Sequence, residues 1–314
     1  MTPHPVAPGA RHLTGDSDDG TAAPAGGQGL ADTIRRRLGE CSPSERKVAR
    51  VLLAAYPSAG FETVARLAVR AGVSGPTVIR FVNRLGYAGY PDFQQALRDD
   101  LDARNASPLS LYDASAAARA GAGGSDADAL LEHAARVAAD SMARTFGTIA
   151  PHDLARAIEL LSSSHRRIHL SGGRFSGLLA RFLCQHLEQL RSDVRMLPDT
   201  VSSRAAVLAD LGARDVIVVF DFRRYEPEAL QLARFARSRH ASVLLFTDVF
   251  LSPIASEAEV VLAADIGSPS PYDAMAPSLA VVETVLAGVV SRLGEDAHAR
   301  MGRVEQVAGE LELY

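Results

Sequence analysis

Residues 63–86, TVARLAVRAGVSGPTVIRFVNRLG, constrain the fold more than any other stretch, because they predict two short helices joined by a tight turn. The first helix has apolar residues at helical spacing and Thr63 as its N-cap. Gly72 can adopt the left-handed backbone that ends this helix, and Ser74 followed by Pro76 predicts the start of the second. This is the pattern of a helix-turn-helix unit, in which the second helix lies in the major groove of DNA.

The second helix of this pair separates apolar and polar residues onto two faces. An apolar stripe is expected on one side, at Val78, Phe81, Val82 and Leu85, and polar side chains on the other. We predict that the cap residue and this polar face contact phosphates and base edges through Ser74, Thr77, Arg80, Asn83 and Arg84. Two amphipathic helices with a glycine turn also occur in ordinary helical bundles, so a second indication is needed.

The charge distribution supplies that second indication. Residues 31–104 contain 12 Lys and Arg against 8 Asp and Glu, a net charge of +4. The whole chain contains 33 and 37, which leaves 21 against 29 and a net charge of −8 elsewhere. Such asymmetry is expected of a DNA-binding module joined to a domain with another task.

The composition is that of a globular protein of two domains, with 314 residues of which 47% are apolar. No apolar run approaches the roughly 18 residues of a membrane helix. The N-terminus lacks the basic start and apolar core of a signal peptide, so we expect a cytoplasmic protein with no membrane partner. The two cysteines are far apart and the nine histidines lack ligand spacing. Neither a disulfide, a metal site nor a cofactor is therefore predicted.

The chain divides into five segments. Residues 1–29 are rich in Pro, Gly, Ala and Asp and are predicted to be disordered. Residues 30–104 predict the helix-turn-helix domain, with a capping box at Ser42 and Glu45 and a last helix from about Asp92 to Leu101. Residues 105–125 have the composition of a linker that can carry a short helix. Residues 126–294 predict a second domain, and residues 295–314 a C-terminal helix that packs between subunits or on the helical domain.

Short apolar segments alternate with amphipathic helices in the second domain. The strand candidates are Arg167–Ser171, Val194–Leu197, Val216–Phe220, Ser242–Thr247 and Val260–Ala263. Helices are predicted at about 126–146, 151–161, 176–190, 226–238 and 276–292. This alternation predicts a five-stranded parallel sheet covered on both faces, so the fold is all-α at the N-terminus and α/β overall.

Ligands of parallel sheets bind at the carboxyl ends of the strands. Four segments follow predicted strands there: SGGRFSG, DFRRYEP, TDVFLSP and DIGSPSPYD. Their hydroxyls, glycines and arginines favour a phosphate or carboxylate. We predict an effector site formed by Gly172, Gly173, Arg174, Ser176, Asp221, Arg223, Arg224, Thr247, Ser252 and Ser268. Alternatively, the two arginines of the second segment pair with Asp221 and Glu226 of their own loop.

SPSERKVARVLL, the spacing to FETVARLA, and AGVSGPTVIRFVNRLGYAGYPDF closely resemble the RpiR family of bacterial transcription regulators. The C-terminal part resembles the sugar isomerase (SIS) domain of those regulators, and the match covers about residues 31–292. The resemblance implies an N-terminal helix-turn-helix that binds double-stranded operator DNA and a SIS domain that senses phosphorylated sugars. It also implies a homodimer or homotetramer formed mainly through the SIS domains, and control of sugar-catabolism genes.

The chain departs from the usual SIS pattern in two loops. The family's first loop reads G-x-G-x-S; Gly172 and Ser176 match, whereas Arg174 replaces the second glycine. The third-strand loop usually reads Ser-x-Ser-Gly-x-Thr, and residues 220–225, FDFRRY, lack both serines. Thr247 and the Ser252-Pro253 pair agree with the fourth loop. These differences predict a modified small anionic effector, phosphosugar-like or a sugar acid, or a site partly filled by arginines.

Two other functions remain open at this point. An isomerase or lyase acting on sugar phosphates would need a general base, for which Glu283, Asp221 and His169 are candidates. The attached helix-turn-helix and the missing serines favour a regulator that is not an enzyme. The SIS-like domain could also serve only for oligomerisation.

Overall fold

The computed structural model describes residues 29–119 and 127–313, so all but one residue of the predicted tail lies outside the described residues. The N-terminal domain is a bundle of five α-helices with two short 3-10 turns, at Arg37–Glu40 and Ser58–Phe61. The helices are α1 (Leu30–Arg36), α2 (Pro43–Ala54), α3 (Val64–Ala71), α4 (Gly75–Arg84) and α5 (Tyr90–Asn105). This confirms the predicted all-helical N-terminal fold.

Local capping signals define the helix ends of this domain. The Ser42 amide donates to the Glu45 carboxylate at 2.8 Å while the Glu45 amide donates to the Ser42 hydroxyl at 3.3 Å, which completes the capping box. Thr63 caps α3 by accepting from the Arg66 amide at 3.3 Å. Gly72 ends α3 with φ +61°, the left-handed conformation that favours glycine. The turn between α3 and α4 therefore has the predicted form.

Helix α5 is longer than predicted at both ends. It begins at Tyr90, since Pro91 is tolerated in a first turn, and it continues to Asn105. Asp100 and Arg104, two charged residues in its last turns, are buried by contacts with distant parts of the chain. The predicted linker then contains a further helix, α6 (Pro108–Arg119), and residues 120–126 are outside the described part.

The second domain is a five-stranded parallel sheet with the order β2-β1-β3-β4-β5. Its strands are β1 (Arg167–Gly172), β2 (Val194–Met196), β3 (Asp215–Phe220), β4 (Ser242–Asp248) and β5 (Val260–Ala264). Its helices are α7 (Ala127–Thr148), α8 (Pro151–Ser162), α9 (Gly177–Leu190), α10 (Val201–Ala209), α11 (Pro227–Ser238), α12 (Ala276–Leu293) and α13 (Glu295–Glu310). All five strands were predicted within one or two residues, whereas α10 was not predicted.

Helices cover both faces of the sheet. Val216, Val218 and Phe220 of β3 pack with α8, α9 and α12 in one core cluster. Ile217 and Val219, which point to the opposite face, pack with α10 and α11 in a second cluster. The alternation explains why β3 and β4 are apolar along their whole length: neither face of these central strands contacts water.

Two C-terminal helices complete the core. By length and composition α12 could cross a membrane, but its Val281, Val282, Val285 and Val289 are buried in the main cluster of the domain. Helix α13 packs against α9, with Ala297 buried in the same cluster and Arg300 near the Glu188 carbonyl. Within the described residues α13 thus packs on helices of the second domain.

Candidate functional sites

Helix α4 presents four of the five predicted DNA-contacting residues to solvent: Ser74, Arg80, Asn83 and Arg84. Thr77 is different, because it was expected on the outward face but is only 6% exposed. It lies one helical turn before the buried Phe81, and residues at i and i+4 share a face. The Thr77 hydroxyl contacts Ser74 Oγ at 3.0 Å and accepts from Arg80 Nη2 at 3.0 Å. The Thr77 hydroxyl is therefore placed to orient the side chains of Ser74 and Arg80.

Ser74 and Arg84 also contact protein atoms. Ser74 occupies the N-cap of α4 with an extended backbone, but its side chain makes no hydrogen bond to a first-turn amide. Arg84 Nε lies 3.2 Å from the carboxylate of Glu45, which is 3% exposed. This contact joins the end of α4 to the start of α2 and fixes the orientation of α4. Within the described chain Arg80 forms no ion pair, so most of its donors face solvent.

A cavity of about 610 Å³ lies at the carboxyl ends of the strands. Its walls come from the turn before α9, the loop after β3, the segment between β5 and α12, and Pro108 at the start of α6. This volume is in the range of small-molecule sites. The cavity brings together six of the ten predicted effector residues, namely Gly173, Arg174, Ser176, Asp221, Arg223 and Arg224.

The remaining four predicted residues lie beside the cavity without lining it. A side chain at Gly172 would come within 2.8 Å of the Gly177 amide, so this glycine permits the tight turn into α9. Thr247 and Ser252 are buried, and the Thr247 hydroxyl accepts from the Ser252 amide at 3.1 Å. Ser268 Oγ lies 3.1 Å from Ser270 Oγ in the loop after β5. Their contacts are to other parts of the protein.

Three arginines line the cavity together with three carboxyl residues, Asp221, Glu226 and Asp273. Arg174 is exposed, lies 5.4 Å from the ring centroid of Phe175, and forms no ion pair with a described carboxylate. Arg223 and Arg224 both form ion pairs with Asp273, a residue of the segment after β5. The alternative that they pair with Asp221 and Glu226 is therefore not what the structure shows. Asp273 is 18% exposed at its side chain and occupies part of the space that an anion would use.

Sequence reasoning missed Ser278, which lines the cavity in the first turn of α12. This residue is 2% exposed and its hydroxyl has no hydrogen-bond partner among the described residues. A buried hydroxyl without a partner is costly unless a ligand or water satisfies it. The sequence signal that could have pointed to Ser278 was the prolines near the start of the predicted helix 276–292, since they place this residue in the first turn of that helix. Also missed were the apolar and aromatic lining residues Phe175, Leu179, Phe222, Ile266, Tyr272 and Met275.

Two buried carboxyls lie next to the loop after β3. Burial raises the pKa of Asp221 to about 6. Hydrogen bonds from Ser252 Oγ at 2.5 Å and from the Glu226 amide at 3.2 Å act in the opposite direction and lower this pKa. Burial likewise raises the pKa of Asp248 to about 6, although the Tyr225 hydroxyl and the Phe250 amide donate to it, each at 2.8 Å. Desolvation outweighs the hydrogen bonds at both residues.

Two protein-family models match the chain over regions that agree with its two domains. The helix-turn-helix domain of the rpiR family matches residues 28–104, and the SIS domain matches residues 160–288. The fold and the cavity thus define a protein in which a helix-turn-helix domain is joined to a SIS domain. The chain belongs to the rpiR family of helix-turn-helix transcription regulators.

Several known proteins are similar over most of the chain. HTH-type transcriptional regulator HexR of Pseudomonas aeruginosa is 29% identical over 287 residues, which are 88% of this chain and 94% of that protein. HexR of Escherichia coli is 27% identical, over 90% of this chain and 94% of that protein. The sugar isomerase domain of the RpiR transcription factor from Sphaerobacter thermophilus matches with a TM-score of 0.52 at 23% identity, covering 56% of this chain and 98% of that one. The structural likeness supports the SIS fold.

Proposed function

We propose that this protein binds double-stranded operator DNA through α4 and that its SIS cavity binds a small anionic metabolite, such as a phosphosugar or sugar acid. Binding of this effector controls transcription of carbohydrate metabolism genes by a cytoplasmic homodimer or homotetramer. The HexR relatives, which carry the name of transcriptional regulators, support the first part. Leu130 and Leu131, which are 60% and 67% exposed on α7, support association through the SIS domains.

Arg80 carries the argument for DNA binding. It is exposed in the second helix of the helix-turn-helix, has no carboxylate partner among the described residues, and is oriented by the Thr77 hydroxyl. A guanidinium held in this way can bind a guanine edge or a phosphate with two hydrogen bonds. Asn83 and Ser74 are exposed on the same helix and can add polar contacts.

The cavity carries the argument for an anionic effector. Three arginines line it. Among the residues that the structure describes, Arg174 has no carboxylate partner and the buried hydroxyl of Ser278 has no hydrogen-bond partner. The first turn of α9 also lines the cavity, and the amides at a helix N-terminus favour anions. The aromatic and apolar residues beside these groups suit the carbon skeleton of a small metabolite.

DNA binding is tested with Arg80→Ala and its matched control Arg98→Ala, an exposed arginine on α5 of the same domain. We expect the first variant to lose about 1–3 kcal/mol of binding free energy to DNA upstream of the gene and to discriminate less between sequences. The control should bind like the wild type. The measurement is a fluorescence anisotropy titration with specific and scrambled duplexes at several salt concentrations. Equal affinity and selectivity of the two variants would remove Arg80 from the interface.

Effector binding is tested by thermal unfolding with sugar phosphates, sugar acids and the corresponding neutral sugars. A ligand specific for the native state raises the midpoint by an amount that grows with the logarithm of the ratio of its concentration to its dissociation constant. Arg174→Ala should reduce this rise, whereas Arg181→Ala, an exposed arginine of α9 outside the cavity, should not. No stabilisation by any anion would contradict the proposal and would favour a SIS domain that serves only for assembly.

A further inference from the structure

The arginines that line the cavity also hold the DNA-binding domain. Arg223 Nη1 donates to the carbonyl of Ala103 at 3.1 Å, and Arg224 Nη1 donates to the carbonyl of Ala106 at 3.5 Å. These carbonyls lie at the C-terminal end of α5, where the helix dipole favours cations. The same two guanidinium groups bind Asp273 in the cavity wall. Each arginine thus contacts both the DNA-binding domain and the cavity.

A third arginine, Arg104 of α5 itself, also fixes this end of the helix. Arg104 is 8% exposed, and its guanidinium lies 4.5 Å from the ring centroid of Tyr225, directly after the two arginines. The Tyr225 hydroxyl donates to Asp248 at the end of β4. The loop after β3 therefore holds α5 through three consecutive residues.

The other end of α5 contacts the helix-turn-helix. Tyr90, the first residue of α5, donates from its hydroxyl to the carbonyl of Glu62 at 3.0 Å, and Gln94 Nε2 donates to the same carbonyl at 3.3 Å. Glu62 directly precedes Thr63, the N-cap of α3. A movement of α5 relative to the SIS domain would therefore carry the helix-turn-helix with it.

The arginine contacts are incomplete. The Nε of Arg223 is buried and has no hydrogen-bond partner in the described part of the chain. The backbone of Arg224 has φ +70°, a left-handed conformation that costs a residue with a side chain free energy. A phosphate or carboxylate in the cavity could accept from these guanidinium groups with two parallel hydrogen bonds, which Asp273 and single carbonyls do not provide. Asp273 is itself a carboxylate, so an anion in the cavity would compete with it and with the carbonyls for the same guanidinium groups.

We propose that Arg223 and Arg224 form an interdomain latch, which holds the C-terminal end of α5 in the ligand-free protein and releases it when an anion binds in the SIS cavity. The anion competes for the guanidinium groups with the carbonyls of Ala103 and Ala106. Release loosens the C-terminal end of α5 on the SIS domain, while Arg104 on Tyr225 and Arg35 on the Ala255 carbonyl keep the two domains in contact. In an oligomer this loosening alters the spacing of the reading helices. This inference rests on the anion binding proposed above.

Whether the latch holds α5 without an anion is tested by hydrogen exchange of the full-length protein. Arg223→Met keeps an unbranched side chain and removes the charge, and Arg181→Met is the matched control. We expect amide exchange in residues 103–109 to become about tenfold faster in Arg223→Met, because a charge-assisted hydrogen bond is lost. The core of β3 should exchange as in the wild type, which shows that the domain is folded. Unchanged exchange in residues 103–109 would overturn the latch without reference to any anion.

Release of the latch by an anion is tested with inorganic phosphate as the probe and chloride at equal ionic strength as the reference. Phosphate should accelerate exchange of residues 103–109 in the wild type but not in Arg223→Met. Asp273→Asn removes the competing carboxylate and should bind phosphate about tenfold more tightly in a calorimetric titration. Phosphate binding without a change in exchange would refute the latch and leave the proposed effector site intact. No phosphate binding by the wild type or by Asp273→Asn would refute the anion site and the latch with it.

Discussion

The raised pKa of Asp221 predicts that this carboxyl destabilises the folded protein at neutral pH. Asp221→Asn is the perturbation of choice, because an amide can keep both hydrogen bonds of the carboxylate. Its oxygen can accept from the Glu226 amide, and its NH2 group can donate to the Ser252 hydroxyl, which can reverse its direction. The substitution therefore removes the ionisation with little change in contacts.

The size of the effect follows from the two pKa values. The folded protein holds this proton with a pKa of about 6, and the unfolded chain holds it with the ordinary aspartate pKa of 3.8. The native state thus binds more protons than the unfolded state between these values, and stability falls as pH rises through this window. Between pH 5.0 and pH 7.5 the loss in the wild type is about 1.4 kcal/mol, a tenfold change in the unfolding equilibrium. Asp221→Asn lacks this contribution.

The assay is urea unfolding followed by circular dichroism at several pH values in this range. We expect the free energy of unfolding of Asp221→Asn, relative to the wild type, to rise by about 1.4 kcal/mol from pH 5.0 to pH 7.5. Asp248 and the other titrating groups are present in both proteins, so they cancel in the difference. Asp199→Asn, a surface charge of the same domain, controls for the loss of a negative charge. Parallel pH dependences of Asp221→Asn and wild type would refute the reasoning.

Two further predictions concern glycines with different constraints. Gly72→Ala should lower the free energy of unfolding by about 1 kcal/mol, because the backbone at this position has φ +61°. Steric overlap does not contribute, since nothing lies within 4 Å of an added Cβ. The control is Gly75→Ala, in the first turn of α4, which should leave the free energy of unfolding unchanged in a urea melt. Gly288→Ala should cost about 1–3 kcal/mol, because its Cβ would lie 2.2 Å from Ile158 Cδ1 between α12 and α8. Combining it with Ile158→Ala should cost less than the sum of the single changes, and strict additivity would contradict the steric explanation.

Elements with local signals were predictable from the sequence. The capping box at Ser42, the N-cap at Thr63 and the left-handed Gly72 each depend on neighbours within a few residues. The central strands are recognisable as short, continuous apolar runs. Helix α5 was predicted too short because its last turns are stabilised by distant groups: the Leu30 amide donates to Asp100 at 2.7 Å, and Arg104 stacks on Tyr225. Polar residues buried by long-range contacts leave no periodic signal.

The cavity could be predicted in position but only partly in detail. The rule that ligands bind at the carboxyl ends of parallel strands located it and led to the arginines. The pairing of Arg223 with Asp273 joins loops 50 residues apart, which no local pattern indicates. The same applies to Ser278, whose importance lies in its burial and its unpaired hydroxyl. Which side chain of a loop faces a cavity depends on packing that is determined by the whole domain.

The three candidate general bases for an isomerase or lyase can be compared with this geometry. His169 lies within β1, where its Nε2 is 3.0 Å from Asp215, and Glu283 is exposed on α12; neither lines the cavity. Asp221 does line it, but Ser252 and the Glu226 amide occupy both of its oxygens. A general base must reach the proton that it removes, so none of the three is placed for that task without rearrangement. Of the three carboxyl residues that line the cavity, Asp221 is hydrogen-bonded as described, Asp273 is paired with Arg223 and Arg224, and Glu226 is exposed. The three arginines and the Ser278 hydroxyl are groups that bind anions. This arrangement favours a cavity that senses a ligand over one that transforms it.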